Sequence, residues 1–298
     1  MALTEQQFLE LEGSIQELWE TANKSSKDYL PLMFAMPKSK RARELHQSMG
    51  TMGRMQAFNG SVFYDEIELG YEKEYRHGAF TTGIAIDWRL YDDQEYNKIK
   101  TKVNDINYSV YKSLQYDGAS VFNNAFTDAS DYHGPDGVPL CSASHHLVSG
   151  DDAQNNTGTD DMTIDAIDTI QQAGMGFKDN RGDIMPVEFD TILCGTYWMK
   201  EAKQICGSEK EPYTSDNQKN VMTELSYIIN PWITGRKWFM LSSRLAKDGK
   251  GLNFYMRQNP KNIERDSTFD ELVLKWRAVG RWSYGWDNFY CTYGNNAA

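Results

Sequence analysis

Residues 136–150, "DGVPLCSASHHLVSG", gather a cysteine, two adjacent histidines and four hydroxyl or carboxylate side chains. Such residues make a thiolate nucleophile with an imidazole base, or bind zinc. The rest of the sequence completes neither. A structural zinc site draws its ligands from two separated pairs. Here Cys141, His145 and His146 stand together, while His46, His77 and His133 are scattered. Adjacent histidines on an extended chain also point to opposite faces. A Cys141–His145 nucleophile needs an orienting third group, and no distant residue identifies itself as one. The chain holds no G-x-x-x-x-G-K-[ST], H-E-x-x-H or G-x-S-x-G. "GMG" at 174–176 lacks the third glycine of a dinucleotide loop, and "RGD" at 181–183 reads as a turn between a helix and a strand. The acidic pairs Asp92-Asp93 and Asp151-Asp152 read as a helix cap and as loop solvation. The expectation is no catalytic residue, no metal and no cofactor.

The elements around this loop are more informative. Thr4 and Gln7 form a capping box, and Phe8, Leu11, Ile15 and Leu18 follow as a narrow apolar stripe. That stripe packs either on its own domain or on a neighbouring subunit. Residues 37–61 are polar and read as irregular; Lys38, Lys40, Arg41 and Arg43 are a solvated face or a contact for an acidic partner. Ile67, Leu69 and Tyr71 alternate with charged residues, Arg76-His77-Gly78 marks a turn, and Phe80 to Ile86 run back, which predicts a long hairpin. Ile99, Val103, Ile106, Val110 and Leu114 predict a helix over about 93–117, a rod of roughly 35 Å. Residues 127–162 read as one long loop, of the kind that is functional or anchored on a partner. A compact α+β block follows over 160–258, with a helix from Thr163 to about Gly174 and strands that include 186–195 and 252–258. Leu274, Trp276, Ala278, Gly280, Trp282, Tyr284 and Trp286 occupy alternate positions of one long strand.

Composition sets the outer limits. The 298 residues suit one elaborate domain or two simpler ones, and aromatics at 13% supply core area. A net charge of −11 argues against wrapping nucleic acid tightly but not against an acidic wall enclosing it. No apolar run is long enough to span a membrane, and "MALTEQQFLELEG" does not read as a signal peptide. Four widely spaced cysteines, Cys141, Cys194, Cys206 and Cys291, fit free thiols in a reducing compartment.

Taken in order, these parts resemble the major capsid protein of tailed bacteriophages with the Hong Kong 97-type fold, nearest the Mu-like major head subunit branch. "IAIDWRLYDDQEYNKIKTKV" enters the long helix. "DGVPLCSASHH" is similar to the family's D-G-x-x-L-F-s-x-x-H pattern through Asp136, Gly137, Leu140 and His145, with Cys141 where an aromatic is common. "NPKNIERDSTFDELVLKWRAVGRW" is similar to the closing strand. The resemblance implies an α+β chain: an N-terminal arm (1–57), an extended E-loop hairpin (58–87), a peripheral P-domain (88–159 and 259–298) and an axial A-domain (160–258). It implies subunit contacts through Phe8, Leu11, Ile15, Leu18, Ile67, Leu69, Tyr71 and Arg76, and a loop-anchoring turn at Asp136, Gly137, Leu140 and His145. It implies a homo-oligomer of pentamers and hexamers in a shell. That shell would enclose DNA without reading its sequence, form in the host cytoplasm and end in the virion, with scaffolding, portal and decoration proteins as possible partners and no membrane. Three alternatives stay open: an encapsulin-type nanocompartment, a Cys141/His145 hydrolase, and a binding module using the tryptophans.

Overall fold

The computed structural model describes residues 27–66, 68–87, 89–93, 95–147, 153–210, 219–260, 263–268 and 273–297. The N-terminal stripe Phe8, Leu11, Ile15 and Leu18, the Thr4–Gln7 capping box, Ile67 and the Asp151-Asp152 pair lie outside them.

The alternating segment near the C-terminus organises one half of the molecule. Its strand, Val273–Trp286, has three antiparallel partners: Gly78–Asp87, Leu252–Gln258 and Ile263–Thr268. Numbering in chain order, these are β12, β3, β10 and β11. At about 3.3 Å per residue β12 runs some 46 Å. Trp276, Ala278, Trp282 and Trp286 are buried, as the period of two predicts.

The long helix, Tyr96–Asn123, lies against this sheet. Ile99, Val103, Ile106 and Val110 pack with Ile86 of β3 and with Trp276 and Ala278 of β12. The helix outruns its expected end because Ala119 and Phe122 continue the buried stripe. At 1.5 Å per residue it measures about 42 Å. Gly118 is a packing residue rather than a stop, since a Cβ there would overlap Leu30. The Asp92-Asp93 cap is a correction: the helix starts after Glu95, which makes no side-chain capping bond. Asp117 accepts from Trp282 Nε1 at 2.6 Å, tying helix to strand, and burial raises its carboxyl above the usual range.

The second half is a five-stranded sheet in the order β6-β13-β9-β7-β8: Thr157–Gly158, Thr292–Asn296, Lys237–Leu241, Thr191–Cys194 and Ser226–Ile229. The helices Ile164–Met175 and Met199–Gly207 belong to this half. The first is capped by Thr163, whose Oγ1 accepts from the Ala166 amide. Ile192, Leu193, Trp238, Phe239 and Met240 form the centre of its core. Strand 252–258, expected in this block, instead pairs with β12. The chain's last strand, expected with the other half, instead completes the five-stranded sheet beside β9.

The hairpin is the main correction. β2 (Leu69–Arg76) and β3 do not pair with each other. A single residue, His77, joins them, and reversing a chain into a hairpin takes at least a two-residue loop. The chain therefore runs on, and the strand changes sheets at His77. That ring is buried between Ser39 Oγ and Ser283 Oγ, each at 2.9 Å, and burial lowers its pKa. The true hairpin partner of β2 is β1 (Arg43–Met49), within the segment that reads as irregular.

Candidate functional site

Residues 133–147 and 153–158 are joined by a network of polar contacts. Gly137 adopts a positive φ of 80°, which lets the chain turn between Gly134 and Val138. Asp136 thereby reaches His145, its Oδ2 2.6 Å from Nδ1. The other ring nitrogen of His145 lies 3.1 Å from Asn156 Oδ1. The imidazole is fully buried, stacked on Phe289 with centroids 4.0 Å apart and set edge-on to Trp286. Asn156 does most of the joining. Its Nδ2 donates to the carbonyls of Leu140 (2.8 Å) and Thr292 (3.0 Å), and its Oδ1 also accepts from the Ser142 amide (2.8 Å). Leu140 is buried beside it. The structure thus brings Asp136, Gly137, Leu140 and His145 together, and adds Asn156. A loop asparagine gives no sequence signal of that role.

This is not the geometry of a thiol nucleophile. His145 spends both nitrogens on Asp136 and Asn156. Burial pushes the Cys141 thiol well above its usual range, with Cys291 adding to the shift. Its sulfur packs against Gly294. His146 points the other way and is exposed, while His133 pairs with Asp128 at 2.7 Å. Among the described residues no group of three His, Cys, Asp or Glu is placed to hold a metal ion, and no helix is long and apolar enough to cross a membrane.

The second feature is the β1–β2 hairpin, which rests on the body through a polar base. Asp287, just after β12, accepts from Tyr75 (2.6 Å) and Asn253 (2.7 Å) and meets His46 Nδ1 at 2.5 Å. His46 in turn meets Tyr255. Burial, then Asp287, pushes the Tyr75 phenol well above its ordinary pKa. Lys73 donates to the His133 carbonyl at 2.7 Å, and Tyr71 to that of His146 at 3.3 Å. Burial lowers the Lys73 pKa. Leu69 is exposed near the far end of β2, and Arg76 is exposed and paired with Glu74. His46, Tyr75 and Asp287 escaped the sequence reading, because the contacts that join them span 241 and 212 positions of the chain.

Beyond this base the hairpin carries the loop 50–66. Met52, Met55, Phe58, Val62, Phe63 and Tyr64 in it are all more than 60% exposed, Met55 completely. Large apolar side chains left exposed in such number within one loop are the kind of surface that marks an interaction site. The chain therefore combines a polar-pinned body with a loop whose large apolar side chains are exposed.

A family model described as phage capsid protein matches residues 70–295. No curated protein matches the chain. Among solved structures, the capsid of an empty GTA particle superposes with a TM-score of 0.57 at 9% identity, covering 92% of this chain and 91% of that one. The procapsid of bacteriophage JBD30 gives 0.55 at 11% identity, covering 99% and 77%. A virus-like particle from Pyrococcus furiosus gives 0.54 at 8% identity, covering 95% and 98%. At these identities the likeness is one of fold.

Proposed function

The chain belongs to the phage capsid protein family, and we propose that it is the major head subunit of a tailed bacteriophage, building an icosahedral shell around double-stranded DNA. Its α+β architecture is that of phage capsids with the Hong Kong 97-type fold. The observation that carries the assembly reading is the loop 50–66, whose large apolar side chains have no cover on their own subunit. A neighbouring copy supplies that cover. Repeated contacts around five-fold and six-fold positions close a shell, and many modest contacts make it stable by mass action.

On this reading β1, β2 and the loop between them are the E-loop. The sheet around β12 with the long helix is the peripheral domain, and the five-stranded sheet is the axial domain. Leu69, Tyr71 and Arg76 stand where the E-loop crosses to a neighbour, and the N-terminal stripe of Phe8, Leu11, Ile15 and Leu18 clasps another. The buried Asp136–His145–Asn156 unit anchors the loop beside the hairpin and does no chemistry. The D-G-x-x-L…H spacing supports a relation to the Mu-like branch. Pentamers and hexamers form in the host cytoplasm, with scaffolding, portal and decoration proteins as further partners. The net charge of −11 favours a wall to which packaged DNA does not stick.

Electron microscopy of the purified chain tests this reading, beside the triple variant Met55→Ser, Phe58→Ser, Phe63→Ser. Wild type should give closed particles, rings or tubes, and co-purifying DNA rather than a protein cargo sets the genome shell apart from a nanocompartment. The variant should keep the wild-type unfolding midpoint and form no closed particles. Normal particles from the variant refute the role of the loop. A wild type that stays monomeric with its phage partners present refutes the shell.

A further inference from the structure

The Arg181-Gly182-Asp183 turn is where the loop 50–66 touches its own subunit. Arg181 donates through Nε to the Thr51 carbonyl at 2.8 Å and through Nη2 to Asp65 Oδ1 at 2.9 Å. The other oxygen of Asp65 accepts from the Gly53 amide at 2.7 Å, so one carboxylate joins the two ends of the loop. Thr51 Oγ1 donates to Asp179 Oδ2 at 2.8 Å, and Arg54 pairs with Asp183. The turn also carries hydrogen bonds of its own. Gly182 sits at φ 79°, Asp179 Oδ1 accepts from the amides of Arg181 and Asp183, and the Asp179 amide donates to the Asp183 carbonyl. Between Met49 and Leu69 the described residues form no strand, and one backbone bond, from the Gly50 amide to the Glu68 carbonyl at 2.8 Å, closes the base of the loop. It is held by polar and ionic contacts, while its large apolar side chains face solvent. Contacts between partly exposed charges are those that salt and competing surfaces displace most readily. The unused apolar groups are those a protein surface would bury.

We propose that the turn at 179–183 is a release clasp, an autoinhibitory contact that holds the loop on its own subunit and surrenders it when a second copy of this chain covers the apolar side chains. The inference rests on the assembly reading above and adds to it a named on-chain competitor. While the clasp is closed, Arg181 fixes both ends of the loop, and a neighbour that draws the loop away from the turn has to break those bonds. The clasp therefore raises the subunit concentration at which shells begin to form, and it weakens as salt rises.

The test has two readouts on the full chain. Hydrogen exchange of amides 50–66 is measured on unassembled protein for wild type, Arg181→Ala, Asp65→Asn and Arg181→Lys. The Ala and Asn variants should exchange about fivefold faster, the cost of losing a weak surface tie. Wild type in roughly 0.5 M salt should move the same way. Arg181→Lys, which keeps the charge without the two-pronged geometry, should fall between. Light scattering should show the fast-exchanging variants assembling at lower concentration than wild type. Unfolding midpoints separate a lost clasp from a lost fold. Unchanged exchange in Arg181→Ala overturns the clasp, and so does a released loop with slower assembly, because the turn would then guide assembly rather than restrain it. Absence of particles from wild type refutes the shell reading, while exchange on the unassembled chain still decides whether the turn holds the loop.

Discussion

Replacing Asn156 by alanine tests whether the loop 133–158 is held by one side chain. The amide is fully buried and serves four partners: the carbonyls of Leu140 and Thr292, the Ser142 amide and the His145 ring. Each buried group left without a partner costs about 1–3 kcal/mol. If water entering the vacated space satisfies half of them, about 4 kcal/mol remains. For a chain of this size that lowers the melting midpoint by roughly 8 °C. Asn156→Asp should be no better. It keeps an acceptor for Ser142 and His145 but turns a second oxygen toward two carbonyl oxygens. The neighbouring Asn155 is the control. It is exposed and its Oδ1 caps only the Thr157 amide, so Asn155→Ala should stay within about 0.5 kcal/mol of wild type. Urea unfolding of unassembled protein, followed by tryptophan fluorescence, suits the question because Trp286 lies edge-on to His145. An Asn156→Ala chain within about 1 kcal/mol of wild type would refute the accounting, and with it the claim that this loop is a built unit.

Two further predictions concern buried titratable groups. Cys194 is pushed up to about 12 and Cys206 to about 11, in both cases chiefly by burial, and Cys141 and Cys291 are buried as well. A thiol reagent at pH 8 should therefore leave the native chain unlabelled and modify all four cysteines after denaturation; rapid native labelling of Cys141 would revive the nucleophile reading. Burial also raises Tyr255 and Tyr290 to about 12 from the ordinary 10, helped in Tyr255 by Asp287. Their folded pKa values lie above the unfolded ones, so their contribution to stability is complete below pH 10 and is lost as pH rises toward 12. Urea midpoints measured from pH 8 to 11 should be flat at first and then fall above 10, and a midpoint that rises there would contradict the burial of these rings.

What the sequence disclosed depended on whether an element buries a face. The long helix and β12 were legible because each lays an apolar stripe on the other, and Ile99, Val103, Trp276 and Ala278 repeat at the period of their own element. β1 was illegible for the same reason. Arg43, Glu44, His46, Gln47 and Ser48 are polar, and the strand is held by its ladder to β2 and by the His46–Asp287 contact. Assigning β2 and β3 to one hairpin failed because His77 marks a change of sheet rather than a reversal, a difference carried by Ser39 and Ser283 from distant parts of the chain. The Cys-His-His cluster was discounted because the sequence offers it no partner. Its actual partners, Asp136 and Asn156, flank it in the sequence without any spacing rule that would pick them out.

The same polarity that hid β1 has a physical use. A two-stranded hairpin leaves backbone edges open, and an apolar edge would pair with any chain it met. Here Arg43 is ion-paired to Glu74 across the ladder, and Arg76 reaches the same carboxylate, so charged side chains line the arms of the hairpin. Leu45, Met49 and Leu69 are exposed on the arms, and the loop 50–66, which forms no strand, adds the larger group of exposed apolar side chains. Side-chain burial, unlike backbone pairing, depends on the shape of the receiving surface. A hairpin whose arms are mostly polar and whose tip is mostly apolar therefore docks where a matching surface waits and resists edge-to-edge association elsewhere. A subunit that must meet many copies of itself in one geometry needs that separation between arms and tip.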